Sequence, residues 1–130
     1  MSKFNLSKAA PTAFLATTNA DRARAFYEDV LGLSLYADEH FALVYQLDGV
    51  ELRLSKVPAF TPLPFTVFDW QVRDIHEARQ ALANKGVSFL HFDGMDQDEH
   101  GIWSSPDGAA LIVWFKDPDG NVLSLSQRKP

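Results

Sequence analysis

Four histidines and 17 carboxylates are the groups from which this 130-residue chain could assemble acid–base or metal chemistry. His40 lies in Asp38-Glu39-His40, a stretch that suits a turn between strands. His76 falls on the first turn of a predicted helix, His91 at the end of a predicted strand, and His100 in the acidic stretch Asp96–His100. A divalent ion needs convergent imidazole, carboxylate or thiolate donors, and no two of these histidines share such a spacing. Each therefore reads as a solvated or locally bonded ring. The one pattern with catalytic form is His100 beside Asp98 or Glu99, a loop-borne acid and base. With no cysteine, thiolate ligands and disulfides are excluded, and no redox compartment can be inferred.

Turn chemistry announces the elements that must position such groups. Leu111–Ser126 reads LIVWFKDPDGNVLSLS, two apolar runs around Asp117-Pro118-Asp119-Gly120-Asn121. Proline presets φ, glycine supplies a positive φ, and Asp and Asn bond nearby amides. Leu111–Lys116 and Val122–Ser126 are therefore predicted to pair as an antiparallel hairpin. From Ala20 to Leu31, the residues Ala23, Phe26, Tyr27, Val30 and Leu31 recur at helical spacing, with Asn19 as N-cap and Gly32 as the stop. Strands are expected at Ala13–Ala16, Leu33–Ala37, Phe41–Leu47 and Val50–Ser55, the last two joined by Asp48-Gly49. Val57–Pro64 carries Pro58, Pro62 and Pro64 and reads as a linker.

After the linker the order repeats. Strand Phe65–Val72 leads to a helix over Ile75–Lys85, capped by Asp74 and stopped by Gly86; strand Val87–Phe92 and the hairpin complete the half. Asp93–Gly108 is acidic and glycine-punctuated, with a brief pairing at Ile102-Trp103, and Met1–Lys8 reads as a loosely held arm. One βαβββ unit thus occurs twice. The expected fold is α+β, one domain over residues 1–130 with modules at about 10–56 and 65–127 and a linker at 57–64. Each module holds a four-stranded, mostly antiparallel sheet with a helix on one face, and the two concave faces together enclose a cavity. A hydrophobic content of 46% suffices to bury a core, while a formal net charge of -5 disfavours nucleic acid or an anionic membrane as the partner. No apolar run approaches a membrane span and MSKFNLSKAAP lacks a secretory core, so a cytoplasmic location is expected.

This order of elements, with FYEDVLGL closing the first helix and KDPDGNVLSL closing the second half, resembles the vicinal oxygen chelate superfamily. Its members include glyoxalases, bleomycin-resistance proteins, extradiol dioxygenases and fosfomycin-resistance enzymes, and the resemblance covers roughly Ala10 to Gln127. In the enzymes of that family a His or Gln on each module's first strand and a Glu on each last strand hold a divalent ion. The matching positions here are Thr12, Val67, Arg53 and Ser124, none a usual ligand, and Arg53 is a fixed cation that repels a metal. A slip of one residue brings in no donor of the needed kind. A slip of two brings in Glu51 and Asp69, still without histidine. The resemblance without its ligands implies no metal and no cofactor.

With these positions fixing the parity, strand alternation turns Thr12, Phe14 and Ala16 inward, together with Glu51, Arg53 and Ser55. Phe65, Val67, Asp69 and Gln71 follow from the fifth strand, and Val122, Ser124 and Ser126 from the last. Trp114 is placed in the cavity by the family's pattern, and Trp103 serves either as a lid or as a plug in a dimer contact. The expected ligand-binding set is Phe14, Arg53, Asp69, Trp103, Trp114 and Ser124: aromatic surface with one cation and one carboxylate. The competing reading makes Phe14, Phe65 and Trp114 core and pairs Arg53 with Asp69. The resemblance implies metal-independent sequestration of an aromatic or polar small molecule by a homodimer. The alternative is a lyase, isomerase or dioxygenase of the same superfamily. A purely structural or partner-binding module would need an exposed patch that the sequence does not advertise.

Overall fold

The structure, a computed structural model, describes residues 2–129. Its eight strands are β1 Thr12–Thr17, β2 Leu35–Asp38, β3 Ala42–Gln46, β4 Glu51–Lys56, β5 Thr66–Gln71, β6 Trp103–Ser104, β7 Ala110–Lys116 and β8 Val122–Arg128. They form two four-stranded sheets of the same design, ordered β1-β4-β3-β2 and β5-β8-β7-β6. In each sheet the first strand runs parallel to the last, and the other pairings are antiparallel. The fold is α+β, two βαβββ units building a cupped sheet.

Both helices begin where the caps were expected. The Asn19 side chain accepts from the Arg22 amide at 3.0 Å, and that of Asp74 accepts from His76 and Glu77 at 3.1 and 3.2 Å. Helix α2 spans Ile75–Asn84. Helix α1 is regular only over Ala20–Arg24 and then widens into π-helical turns over Ala25–Val30, where the Leu31 N–H reaches the Phe26 carbonyl. The wide turn brings two adjacent aromatics to the interior, Phe26 and Tyr27, packed edge to face at 5.3 Å. Gly32 and Gly86 end the two helical stretches with φ of 77° and 97°, the left-handed region that a β-carbon disfavours.

One predicted strand does not form. Within Val87–Phe92 only a bridge between Phe89 and Phe115 and a Leu90 N–H bond to the Trp114 carbonyl remain. The place at the edge of β7 goes to β6, where Trp103 and Ser104 pair with Ile112 and Leu111. The physical cause is the Gln97 amide. It donates to the Leu90 and Gly101 carbonyls at 2.9 and 2.8 Å and accepts from the Phe92 N–H at 2.7 Å, satisfying backbone groups that a strand would have used. At the N-terminus, Leu6–Lys8 winds into one exposed 3₁₀ turn capped by Asn5, and Met1 lies outside the described residues.

A single core fills the space between the helices and the inner faces of both sheets. Leu43, Tyr45, Leu52 and Leu54 of the first sheet meet Tyr27 of the helical segment and Val113, Phe115 and Leu123 of the second. The hairpin turn then fastens the halves. Asp117, buried, accepts from the Tyr27 hydroxyl at 2.7 Å, from the Asn121 side-chain amide at 2.8 Å and from the Asp119 and Asn121 amides at 2.9 Å. Asn121 also donates to the Ala16 carbonyl at 2.9 Å. Asp119 accepts from the Thr17 and Thr18 hydroxyls at 2.6 and 2.7 Å, the Thr18 amide at 2.9 Å and the Arg22 guanidinium at 3.1 Å. A motif read as a turn is thus a clasp on the β1–α1 junction.

The clasp has a pH signature. Burial alone would raise the Asp119 pKa. The hydroxyls of Thr17 and Thr18, the Thr18 amide and the Arg22 charge outweigh burial and hold it below the usual carboxylate value. A depressed folded-state pKa contributes stability that is present above the unfolded value of about 3.9 and is lost as pH falls through the folded one. Melting temperature followed from pH 6 downward should therefore fall below about pH 4, more steeply for the wild type than for Asp119→Asn. Parallel curves would show that Asp119 carries no such linkage.

Candidate functional site

The open face of the second sheet gathers most of the expected side chains. Asp69, Ser124 and Trp114 stand directly opposite one another across β5, β8 and β7, and therefore share a face. Ser126 and Ile112 form the next row, and Trp103 lies opposite Ile112. The Ser124 and Ser126 hydroxyls donate to the two oxygens of the Asp69 carboxylate at 2.6 and 2.7 Å. Both serines are buried beneath it, while Asp69 itself is exposed. Among the described residues no salt bridge reaches Asp69.

Three rings form a wall beside this carboxylate. Phe92 meets Trp114 edge-on at 5.4 Å, and Trp103 meets it at a tilt with centroids 6.4 Å apart. Trp114 is half-buried, whereas its neighbours Val113 and Phe115 on the other face of β7 are fully buried. Trp114 thus stands on the open face and its neighbours in the core. Trp103 stands on β6 as part of this wall. Phe92 escaped sequence reading because it ends the strand that does not form, and its backbone is held instead by Gln97. No local signal marks it.

The first sheet contributes differently. Phe14 stands 65% exposed on β1, over a recess of about 350 Å³ bounded by Phe60, Pro62, Leu63 and Val67. The proline-rich linker is therefore a wall as well as a connection. Val67 sits at an irregularity in β5, where the register shifts between Thr66 and Phe68, and Asp69 is the residue that aligns with Ser124. Arg53 is on the open face of β4, but Glu39 takes its guanidinium at 2.6 Å and Glu51 lies 3.7 Å away. The Glu39 hydrogen bond and the two carboxylate charges raise its pKa against the cost of desolvation. The pairing of Arg53 with Asp69, weighed as an alternative, does not occur. The two sit on different sheets and have other partners.

The acid–base candidate on the loop is also spoken for. Asp98 accepts from the His100 and Ile102 amides at 2.8 and 2.9 Å and so caps a turn, while the half-exposed His100 ring lies 3.5 Å from Glu99. Among the described residues no three His, Cys, Asp or Glu side chains converge as a metal site requires. Thr12 and Ser124 offer only neutral hydroxyls, that of Ser124 already bonded to Asp69, Val67 offers no lone pair, and Arg53 is a cation. These residues do not fit the divalent ion that the fold family uses. Elemental analysis of purified protein should find zinc, iron, manganese and nickel well below one per chain. A stoichiometric ion removable with loss of activity would overturn that expectation.

Two βαβββ units build the cupped sheet, and the side chains described above stand on the open faces of its strands. The profile of the Glyoxalase/Bleomycin resistance protein/Dioxygenase superfamily matches residues 9–125, and the chain belongs to that superfamily. No curated protein matches by sequence. A glyoxalase family protein from Bacillus anthracis superposes with a TM-score of 0.74 at 17% identity, covering 99% of this chain and 100% of its own. Lactoylglutathione lyase from Agrobacterium tumefaciens gives 0.71 at 18% identity, over 92% of this chain and 93% of its own. A superfamily member from Sphaerobacter thermophilus gives 0.71 at 23% identity, over 92% and 97%. At such identities the likeness carries the fold alone. Among the described residues no helix is long and apolar enough to cross a membrane.

Proposed function

We propose that the protein binds and sequesters a small aromatic-bearing molecule on the open faces of its sheets, without a metal. The observation that carries this reading is the wall of Phe92, Trp103 and Trp114 beside the hydroxyl-braced Asp69. Flat rings stack on such walls, and a few fixed polar groups set their orientation. Phe14 extends the apolar surface from the first sheet. Binding removes the ligand from solution. Native mass spectrometry of the untreated protein tests the proposal. A retained organic ligand released unchanged supports it, and a bound divalent ion with turnover of the ligand favours the lyase, isomerase or dioxygenase reading instead.

The same reading includes a homodimer. Leu63, which lines the Phe14 recess, and Phe65 two residues on are exposed by 50% and 58%, apolar surface of the kind that interfaces cover. Light scattering should give the mass of two chains. A monomer mass that does not change with concentration would remove this part of the proposal.

A further inference from the structure

We infer that the molecule held on the second sheet carries a protonated amine, with its ammonium group on Asp69 and its ring on Trp114. The inference rests on the proposed aromatic site and names the chemistry of its ligand. Adjacent strands lie about 4.8 Å apart, so Asp69 and Trp114, two strands from each other, stand about 10 Å apart at the backbone. Ser124 lies between them, and its small side chain makes the floor of a trough bounded by a carboxylate on one side and an indole on the other. A flat ring with a short aminoalkyl arm spans that distance.

The polarity of the floor selects the charge. Ser124 and Ser126 have given their hydroxyl hydrogens to Asp69, so their free lone pairs only accept. The carboxylate itself only accepts, and no salt bridge among the described residues neutralises it. A complementary group must therefore donate and carry positive charge, and an ammonium beside aromatic faces gains cation–π attraction as well. Arg53, which would favour an anion, stands on the other sheet with its charge met by Glu39 and Glu51. Asp69, Ile112 and Ser126 line a recess of about 480 Å³ that Arg128 and Lys129 border farther along β8, and among the described residues neither cation forms a salt bridge with the carboxylate.

Calorimetric titration of the full-length wild type with tryptamine, and separately with indole-3-acetate, tests this inference. Tryptamine should bind at least about tenfold more tightly than the anion, the size of one charge-assisted hydrogen bond. Asp69→Asn should remove that preference, while Trp114→Ala should weaken both probes. Equal or tighter binding of indole-3-acetate would overturn the charge assignment and leave the aromatic site standing, and so would a tryptamine affinity unchanged by Asp69→Asn. If neither probe binds, or Trp114→Ala changes neither affinity, the proposed site fails along with the charge assignment. The comparison of the two probes on the wild type needs no variant, so misfolding of Asp69→Asn would not spoil the test.

Discussion

Asp117→Ala should destabilise the protein strongly. It orphans the buried Tyr27 hydroxyl, takes one of the two bonds from the buried Asn121 side-chain amide and frees two turn amides. A hydrogen bond to a charged group contributes about 1.5–3 kcal/mol, so losing two buried ones costs at least about 3 kcal/mol. A domain stable by about 5–15 kcal/mol would lose a large share of that stability, and the melting temperature should drop by about 10 °C or more. Tyr27 shows how firmly the carboxylate acts. Burial first, and the neighbouring Asp117 charge and hydrogen bond next, push its pKa far above that of a free phenol. Tyr27→Phe should be milder, since it removes one bond and leaves the other donors in place. Calorimetric melting of both variants checks the order, and an Asp117→Ala protein that melts like the wild type would refute the clasp.

The second large effect is expected on binding. Trp114→Ala should yield a folded protein whose affinity for an aromatic ligand falls about tenfold or more. A fully buried tryptophan cut to alanine costs about 3–5 kcal/mol of stability. Trp114 is half-buried and packs against Phe92 and Trp103 on an open face, so a smaller penalty is expected. Arg53→Ala should leave affinity within about twofold, because Glu39 and Glu51 already meet its charge and a partly exposed pair contributes little. Thermal melts and titrations on the two variants separate the outcomes. A Trp114→Ala protein that melts early while binding normally would make the ring structural and place the ligand elsewhere.

The recurrence of one unit, its helix starts and stops and the inward parity of its strands were all legible in the residues. Asn19 and Asp74 cap, Gly32 and Gly86 stop, and Leu15, Leu52 and Leu54 alternate with Phe14, Arg53 and Ser55 because such signals act over a few residues of backbone. That Thr12, Arg53, Val67 and Ser124 bring neither an imidazole nor a carboxylate was legible too, because it is a matter of residue type alone. What joins distant segments was not. Asp119 meets Thr17 across 102 positions, Asp117 meets Tyr27 across 90, and Asp69 meets Ser126 across 57. Gln97 replaces a strand's hydrogen bonds, and Glu39 takes Arg53, for the same kind of reason. A carboxylate in a sequence has many possible donors, and only the packing of the two sheets around one core decides which donor lies within 3 Å. The tertiary structure therefore separated the two charges, setting Asp69 on the face with the rings and Arg53 on the other sheet against Glu39, where residue types alone suggested a cation and an anion side by side.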